Sequence, residues 1–276
     1  MAASVRAWCA FVLISVVTAV FVPVLWLAVK FDWSAKRTIP IYWHRIACAM
    51  LGLRIRVVGK PHNERPLLIT ANHCSWLDIT ALGSLMPLCF IAKSEVATWP
   101  VIGFLSKLQR TVFVDRKRRT ETGKVAGEIA QRLGAGDAMV LFAEGTSSNG
   151  NEVLPFRTAL IGAAQQFISG DSKREAAEKV WLQPLSIAYT RLQGLPIGRQ
   201  YRHVAAWYGD MDLVPHLWKV LREGALDVTV TWGDPVAATN DTDRKMLTRQ
   251  LENQVREKVI EAVFGSPSPV EVVESN

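Results

Sequence analysis

The chain has 276 residues, 49% of them hydrophobic and 21% charged, with a net charge of +7. That length holds one catalytic domain plus an attachment segment, and the hydrophobic share is that of a folded protein. The basic balance favours an anionic partner, whether nucleic acid, an anionic membrane face or an acidic carrier, unless it is simply a solvated surface. The four cysteines, Cys9, Cys48, Cys74 and Cys89, form no CxxC pair and no His/Cys ligand spacing. A disulfide frame and a zinc site are therefore not expected, which suits a domain facing a reducing cytoplasm.

Residues 7–29 read AWCAFVLISVVTAVFVPVLWLAV, with no charge. About 23 residues suffice to cross a hydrocarbon core, which needs roughly 20. Arg6 and Lys30 bracket the run, and Trp8 and Trp26 sit near its ends as interfacial aromatics do. A cleaved signal peptide would have a shorter apolar core and a small-residue cleavage site, whereas Lys30-Phe31-Asp32-Trp33 follows here. We therefore expect a membrane helix. Lys30, Lys36, Arg37, Arg45, Arg54, Arg56 and Lys60 all follow it, so the positive-inside bias puts the main domain in the cytoplasm.

Residues 36–51 form a second apolar-basic stretch in which Ile41, Trp43, Ile46, Ala47 and Met50 can share a helical face. Two readings stand side by side: a helix lying in the membrane surface, or a core helix of the soluble domain. After Gly52 the texture becomes α/β. Strand-like runs lie at 54–58, 67–71, 88–92, 111–114, 138–143, 180–189, 203–207 and 227–232. Helical periodicity marks 120–133, 156–168 and 241–264. The expected fold is a mixed central sheet flanked by helices, with an N-terminal membrane helix and a second interfacial helix. Residues 1–51 form the attachment part, 52–264 the catalytic domain and 265–276 a mobile tail. No GxGxxG fingerprint or Walker loop is present, so no cofactor is expected.

Three segments carry chemistry. In the first, an apolar strand runs into Asn72-His73-Cys74-Ser75-Trp76-Leu77-Asp78. Ser75 or Asn72 can cap a helix that starts near Trp76. A carboxylate five residues beyond the histidine can fold back on the imidazole, holding one tautomer and stabilising the imidazolium. Such an imidazole can take a proton from a hydroxyl. Ser75 invites a hydrolase reading, but no GxSxG elbow surrounds it. The second segment is the strand Ala138-Met-Val-Leu-Phe-Ala143, which breaks into Glu144-Gly145-Thr146-Ser147-Ser148-Asn149-Gly150. Ligand contacts collect on turns of this kind at strand ends. The third is Thr111–Val114 followed by the basic cluster at 116–119, in which Arg116, just past the strand, is the better ligand candidate.

Together these segments resemble the glycerolipid acyltransferase family, the lysophosphatidic acid acyltransferases and their relatives. The NHxxxxD block is matched by Asn72, His73 and Asp78, and the second block by Phe113 and Arg116. FPEGTRS is matched by Phe142-Ala143-Glu144-Gly145-Thr146-Ser147-Ser148, and a proline-containing strand by Leu182-Gln183-Pro184-Leu185-Ser186-Ile187. The order holds over about residues 50–235. The resemblance implies that His73 is a general base, oriented by Asp78, for attack of a lysolipid hydroxyl on an acyl thioester without an acyl-enzyme. The donor would be acyl carrier protein or acyl-coenzyme A. Asn72, Arg116, Glu144, Gly145 and Thr146 would bind substrate, with no metal and no cofactor. The enzyme would sit on a bacterial inner membrane with its catalytic domain on the cytoplasmic side.

The chain departs from the family wording at Ala143, for proline, and at Ser147, for arginine. Loss of that arginine points away from a phosphomonoester acceptor, because a charged hydrogen bond is worth about 1.5–3 kcal/mol. The runs WHRIAC, ANHCSWLDI, AKSEV, LQRTVFVDR, EGTSSNG, VLPFR and QPLSIAYTRLQGLP are similar to the lyso-ornithine lipid acyltransferases. In that subgroup the accepting hydroxyl is carried by a 3-hydroxy fatty acid amide-linked to ornithine. The alternatives are a 1-acyl-sn-glycerol-3-phosphate acyltransferase making phosphatidic acid, or a non-enzymatic membrane-tethered module binding anionic lipid. Nucleic acid is not expected as a partner, since the basic residues are scattered and no aromatic–basic reading element appears.

Overall fold

The computed structural model describes residues 2–114, 122–159, 161–162 and 179–265. The described helices are α1 (Ala2–Lys30), α2 (Ile39–Leu51), α3 (Leu77–Gly83), α4 (Ile102–Leu108), α5 (Thr122–Gly134), α6 (Leu213–Glu223) and α7 (Arg244–Phe264). The strands are β1 (Leu53–Val58), β2 (Leu67–Ala71), β3 (Cys89–Lys93), β4 (Val112–Val114), β5 (Ala138–Phe142), β6 (Val180–Leu192), β7 (Leu195–Pro196), β8 (Leu226–Trp232) and β9 (Val236–Ala238). These nine described strands form one mixed sheet in the order β1-β8-β6-β2-β5-β3-β4, with β7 and β9 also on β6.

The sheet is parallel from β6 through β2, β5 and β3 to β4, and β8 runs antiparallel to β6. β2 (LLITA) and β5 (AMVLF) are buried at every position because helices cover both faces, which is why they read as apolar runs rather than alternating ones. On one face Leu67, Ile69, Val140 and Phe142 share a core with α1, α2, α3 and α6. On the other, Leu68, Met139 and Leu141 pack against Ile129 and Leu133 of α5 and Leu247, Leu251 and Val255 of α7.

One expected strand is absent. Residues 203–207 lie at the end of a 3-10 helix, Arg199–Val204, and the turn after it. Val204, Ala205 and Ala206 are buried there without a sheet partner, because the segment tucks under the NHxxxxD turn, where the Trp207 N–H reaches the Cys74 carbonyl at 2.7 Å. Of the helical stretch expected at 156–168, residues 156–159 and 161–162 are described; 158–159 and 161–162 are helical and 156–157 are not. Residues 266–276 of the expected tail lie outside the described residues.

α1 is apolar almost throughout, yet its faces differ. Ala7, Ala10, Ile14, Thr18, Phe21, Leu25 and Ala28 are buried or half-buried. Their three- and four-residue steps make a seam that runs the whole helix and lies against α2, α4 and α6. Trp8, Phe11, Val12, Val16, Val20 and Val24 are exposed on the other side. Both ends are tied to the same body. Near the start, Arg6 Nη2 donates to the Leu221 carbonyl at 2.7 Å and Trp8 meets Trp218 edge-on at 4.9 Å. Just past the end, Arg37 pairs with Asp137 at 3.1 Å and donates to the Ala135 carbonyl.

α2 lies between α1 and α3. Its buried face runs through His44, Ala47, Cys48 and Leu51; of the stripe the periodicity suggests, Ala47 lies on that face, and Ile41, Trp43, Ile46 and Met50 are half-buried. Burial pushes the His44 imidazole down to about 4, against the hydrogen bond from Gln109 at 2.9 Å. A neutral ring therefore packs against Gly83, where a Cβ would come within 2.4 Å of it. Gly52 ends α2 at φ +72°, a left-handed position that suits glycine, and turns the chain into β1.

Candidate active site

β2 ends at Ala71, so His73 emerges at the carboxyl edge of the parallel strands, where α/β folds gather ligand contacts. Its Nδ1 lies 2.8 Å from Oδ2 of Asp78, in the first turn of α3. The same Oδ2 accepts from the backbone N–H groups of Cys74 at 2.8 Å and Ser75 at 3.0 Å, and Oδ1 accepts from the Tyr189 hydroxyl at 2.8 Å. A carboxylate with no access to water needs hydrogen bonds, and for Asp78, fully buried, these donors supply them. Since a carboxylate accepts, Nδ1 carries the hydrogen and Nε2 is left with a lone pair. The half-buried ring stacks on Phe142 with centroids 4.0 Å apart, which fixes its plane.

Asn72 does not cap α3. Its amide donates to the Ile187 carbonyl at 2.9 Å and accepts from the Ile187 N–H at 2.8 Å, pinning the end of β2 to β6. Ser75 is buried, and its hydroxyl oxygen accepts from the Leu77 N–H at 3.3 Å. It helps start the helix and has no hydrogen bond to His73 among the described residues.

The Glu144 turn folds against this strand end. The Ser148 N–H reaches the His73 carbonyl at 2.8 Å, and the Ala143 N–H reaches the Ala71 carbonyl at 3.0 Å. Gly145 takes φ +74° as the chain doubles back, with its N–H on the Phe142 carbonyl at 3.1 Å. Thr146 is exposed and Ser147 half-buried. Glu144 is 1% exposed, and neither carboxyl oxygen has a partner in hydrogen-bond geometry among the described residues. Burial raises its pKa to about 8, and the N–H groups of His73 and Leu154 oppose that rise from nearby. Arg157 Nε donates to the Glu144 carbonyl at 3.1 Å.

The structure thus gathers Asn72, His73, Asp78, Glu144, Gly145 and Thr146 at one edge of the sheet. Arg116 lies outside the described residues. Sequence reasoning did not single out Tyr189, Phe142 or Arg202. Tyr189 carries a usable signal, since a tyrosine in a long, largely buried strand must bury its hydroxyl against a partner. Arg202, in the segment misread as leading into a strand, carries none.

A family model described as "Acyltransferase" matches residues 54–188. Over 246 residues the chain is 52% identical to a lyso-ornithine lipid O-acyltransferase of Brucella abortus (strain 2308), covering 89% of this chain and 90% of that one. It is 43% identical over 253 residues to a lyso-ornithine lipid O-acyltransferase of Rhizobium meliloti (strain 1021), with 92% and 85% covered. Its fold is similar to the crystal structure of the 1-acyl-sn-glycerophosphate (LPA) acyltransferase from Thermotoga maritima. The TM-score is 0.62 at 22% identity over 94% of this chain and 95% of that one, a likeness that bears on the fold alone.

Proposed function

The chain belongs to the acyltransferase family, and from that premise we propose that it transfers a fatty acyl group from a thioester to the hydroxyl of lyso-ornithine lipid, forming ornithine lipid. The observation that carries the chemistry is the hydrogen bond between His73 Nδ1 and Asp78 Oδ2, which leaves Nε2 as a base at the open edge of the sheet. Nε2 takes the proton of the acceptor hydroxyl as its oxygen attacks the thioester carbonyl. The tetrahedral intermediate expels the thiolate, which receives the proton from the imidazolium. Asp78 keeps the tautomer and stabilises the charged ring. No acyl-enzyme forms. Asn72, Glu144, Gly145 and Thr146, together with Arg116, shape the acceptor site.

The similarity to the lyso-ornithine lipid O-acyltransferases of Brucella and Rhizobium, and serine at 147, support lyso-ornithine lipid over a phosphomonoester. An acidic acyl carrier protein or acyl-coenzyme A as donor suits the net charge of +7. The exposed apolar face of α1 supports attachment to a bacterial inner membrane with the catalytic domain on the cytoplasmic side. α1 has 29 residues, a length of about 44 Å at 1.5 Å per residue. If it crossed the bilayer, Leu221 and Trp218, which touch its first turns, would be carried to the far side. The arrangement supports a helix lying in one leaflet, rather than the crossing that length alone suggests.

The test is acyl transfer by the membrane-reconstituted protein, with lyso-ornithine lipid and lysophosphatidic acid compared as acceptors. Lyso-ornithine lipid should be used faster, and His73→Ala should lower turnover by roughly 10²–10⁴-fold, the usual contribution of general base catalysis. Undiminished transfer by His73→Ala removes the proposed base.

A further inference from the structure

Arg202 is the residue for which the chemistry above gives no use. It is 8% exposed, and its Nη1 donates to the Gly150 carbonyl at 3.3 Å. Its Nε has no hydrogen-bond partner among the described residues. No described carboxylate forms an ion pair with it; the Arg199 cation bears on it, and the neutral Cys74 thiol lies nearby. A buried cation normally has a counter-charge, because the loss of hydration is otherwise uncompensated.

The guanidinium lines a cavity of about 20 Å³ whose walls include Asn72 and Cys74, the two neighbours of His73, with Ser148, Gly150 and Tyr189. That volume holds about one water-sized group, the size of a single headgroup oxygen, and not a whole headgroup. Glu152 also lines the cavity but makes no ion pair with Arg202. The site therefore presents a positive charge with no carboxylate partner, its guanidinium 5.9 Å from the centre of the Phe264 ring, beside the two chain neighbours of the proposed base. A single guanidinium matches a single negative charge and binds a planar carboxylate through a fork of N–H donors.

We propose that Arg202 binds the carboxylate of the ornithine headgroup while the hydroxyl of the same molecule lies at His73. This rests on the lyso-ornithine acceptor proposed above. In that lipid the carboxylate and the hydroxyl are joined through one amide and a few carbon atoms, and the cavity is walled by both chain neighbours of His73. Arg202 would thereby select a carboxylate-bearing lysolipid.

The experiment uses the full-length protein in phosphatidylcholine vesicles with a long-chain acyl thioester of acyl carrier protein. The acceptors are lyso-ornithine lipid, its carboxyl methyl ester and lysophosphatidic acid. On the wild-type protein the ester should show a KM raised by roughly 10–100-fold, about what one charged hydrogen bond gives. Arg202→Gln should raise the KM for the free acid by a similar factor, with kcat little changed and the KM for the ester unaltered, and Arg202→Lys should recover part of the loss. Equal KM values for acid and ester on the wild-type protein overturn the proposal without any variant. So does an Arg202→Gln protein that loses activity equally on both, or that loses lysophosphatidic acid use as strongly as lyso-ornithine lipid use. A wild-type protein that acylates lysophosphatidic acid and ignores lyso-ornithine lipid overturns the acceptor reading, and the role of Arg202 falls with it.

Discussion

Two buried carboxyls lie near one imidazole, and their surroundings treat them in opposite ways. Asp78 has donors on both oxygens. Glu144 has none in hydrogen-bond geometry among the described residues, and burial holds its pKa near 8. The folded protein therefore keeps a proton on Glu144 that the unfolded chain releases above the ordinary glutamate value of 4.5. Stability from this group is complete below that value and is lost as pH rises through about 8. Glu144→Gln imitates the protonated acid and should remove the slope. Between about pH 5 and pH 8 the wild-type Tm should fall by several degrees relative to the variant, at roughly 2–4 °C per kcal/mol for a chain of this size. A Tm difference constant across that range would mean an ionised Glu144 at neutral pH. At this scale the sequence exposed His73 and Asp78 because they are local, five positions apart. Tyr189 and Arg202 escaped because their partners are distant: the Tyr189 hydroxyl reaches Asp78 across 111 positions.

The elements were largely legible because their hydrophobic periods are strong. β2 was read at its observed limits, and β1, β3, β5, β6 and β8 within a few residues. The misread span at 203–207 is apolar because it plugs the space beneath the NHxxxxD turn, and composition does not separate a plug from a strand. In α2 the readable stripe and the buried stripe differ, since His44 is buried by Gly83 having no side chain. The junction of α2 and β1 gives a direct test. At Gly52 a Cβ would meet a left-handed φ of +72° and lie 2.6 Å from the Ala225 backbone nitrogen. The left-handed conformation alone costs an L residue roughly 1–2 kcal/mol, so Gly52→Ala should lower Tm by about 2–8 °C. An unchanged thermal melt would show that the junction relaxes freely.

For the molecule as a whole, charge asymmetry and an apolar run indicate attachment to a membrane but carry no orientation of the helix relative to its domain. That information lies in the seam from Ala7 to Ala28, whose partners come from three other helices. The in-leaflet arrangement predicts that the start of α1 and the outer side of α6 face the same compartment. In a Cys9→Ser background, Ala3→Cys and Arg222→Cys should both react with an impermeant maleimide added to the cytoplasmic side of sealed vesicles. Reaction of position 3 only from the opposite side would mean that α1 crosses the bilayer and that its contacts with α6 do not form in the membrane.

The bond from Arg6 to Leu221 spans 215 positions. A ribosome adds roughly 5–20 residues per second, so α1 is made about 10–40 s before the helix that completes its seam. Through that interval the part of the seam that meets α6 has no protein to cover it, and at a membrane lipid is the apolar phase at hand. On the proposed membrane attachment, the bilayer serves as a chaperone as well as an anchorage, and the order of synthesis becomes part of how the enzyme reaches its working shape.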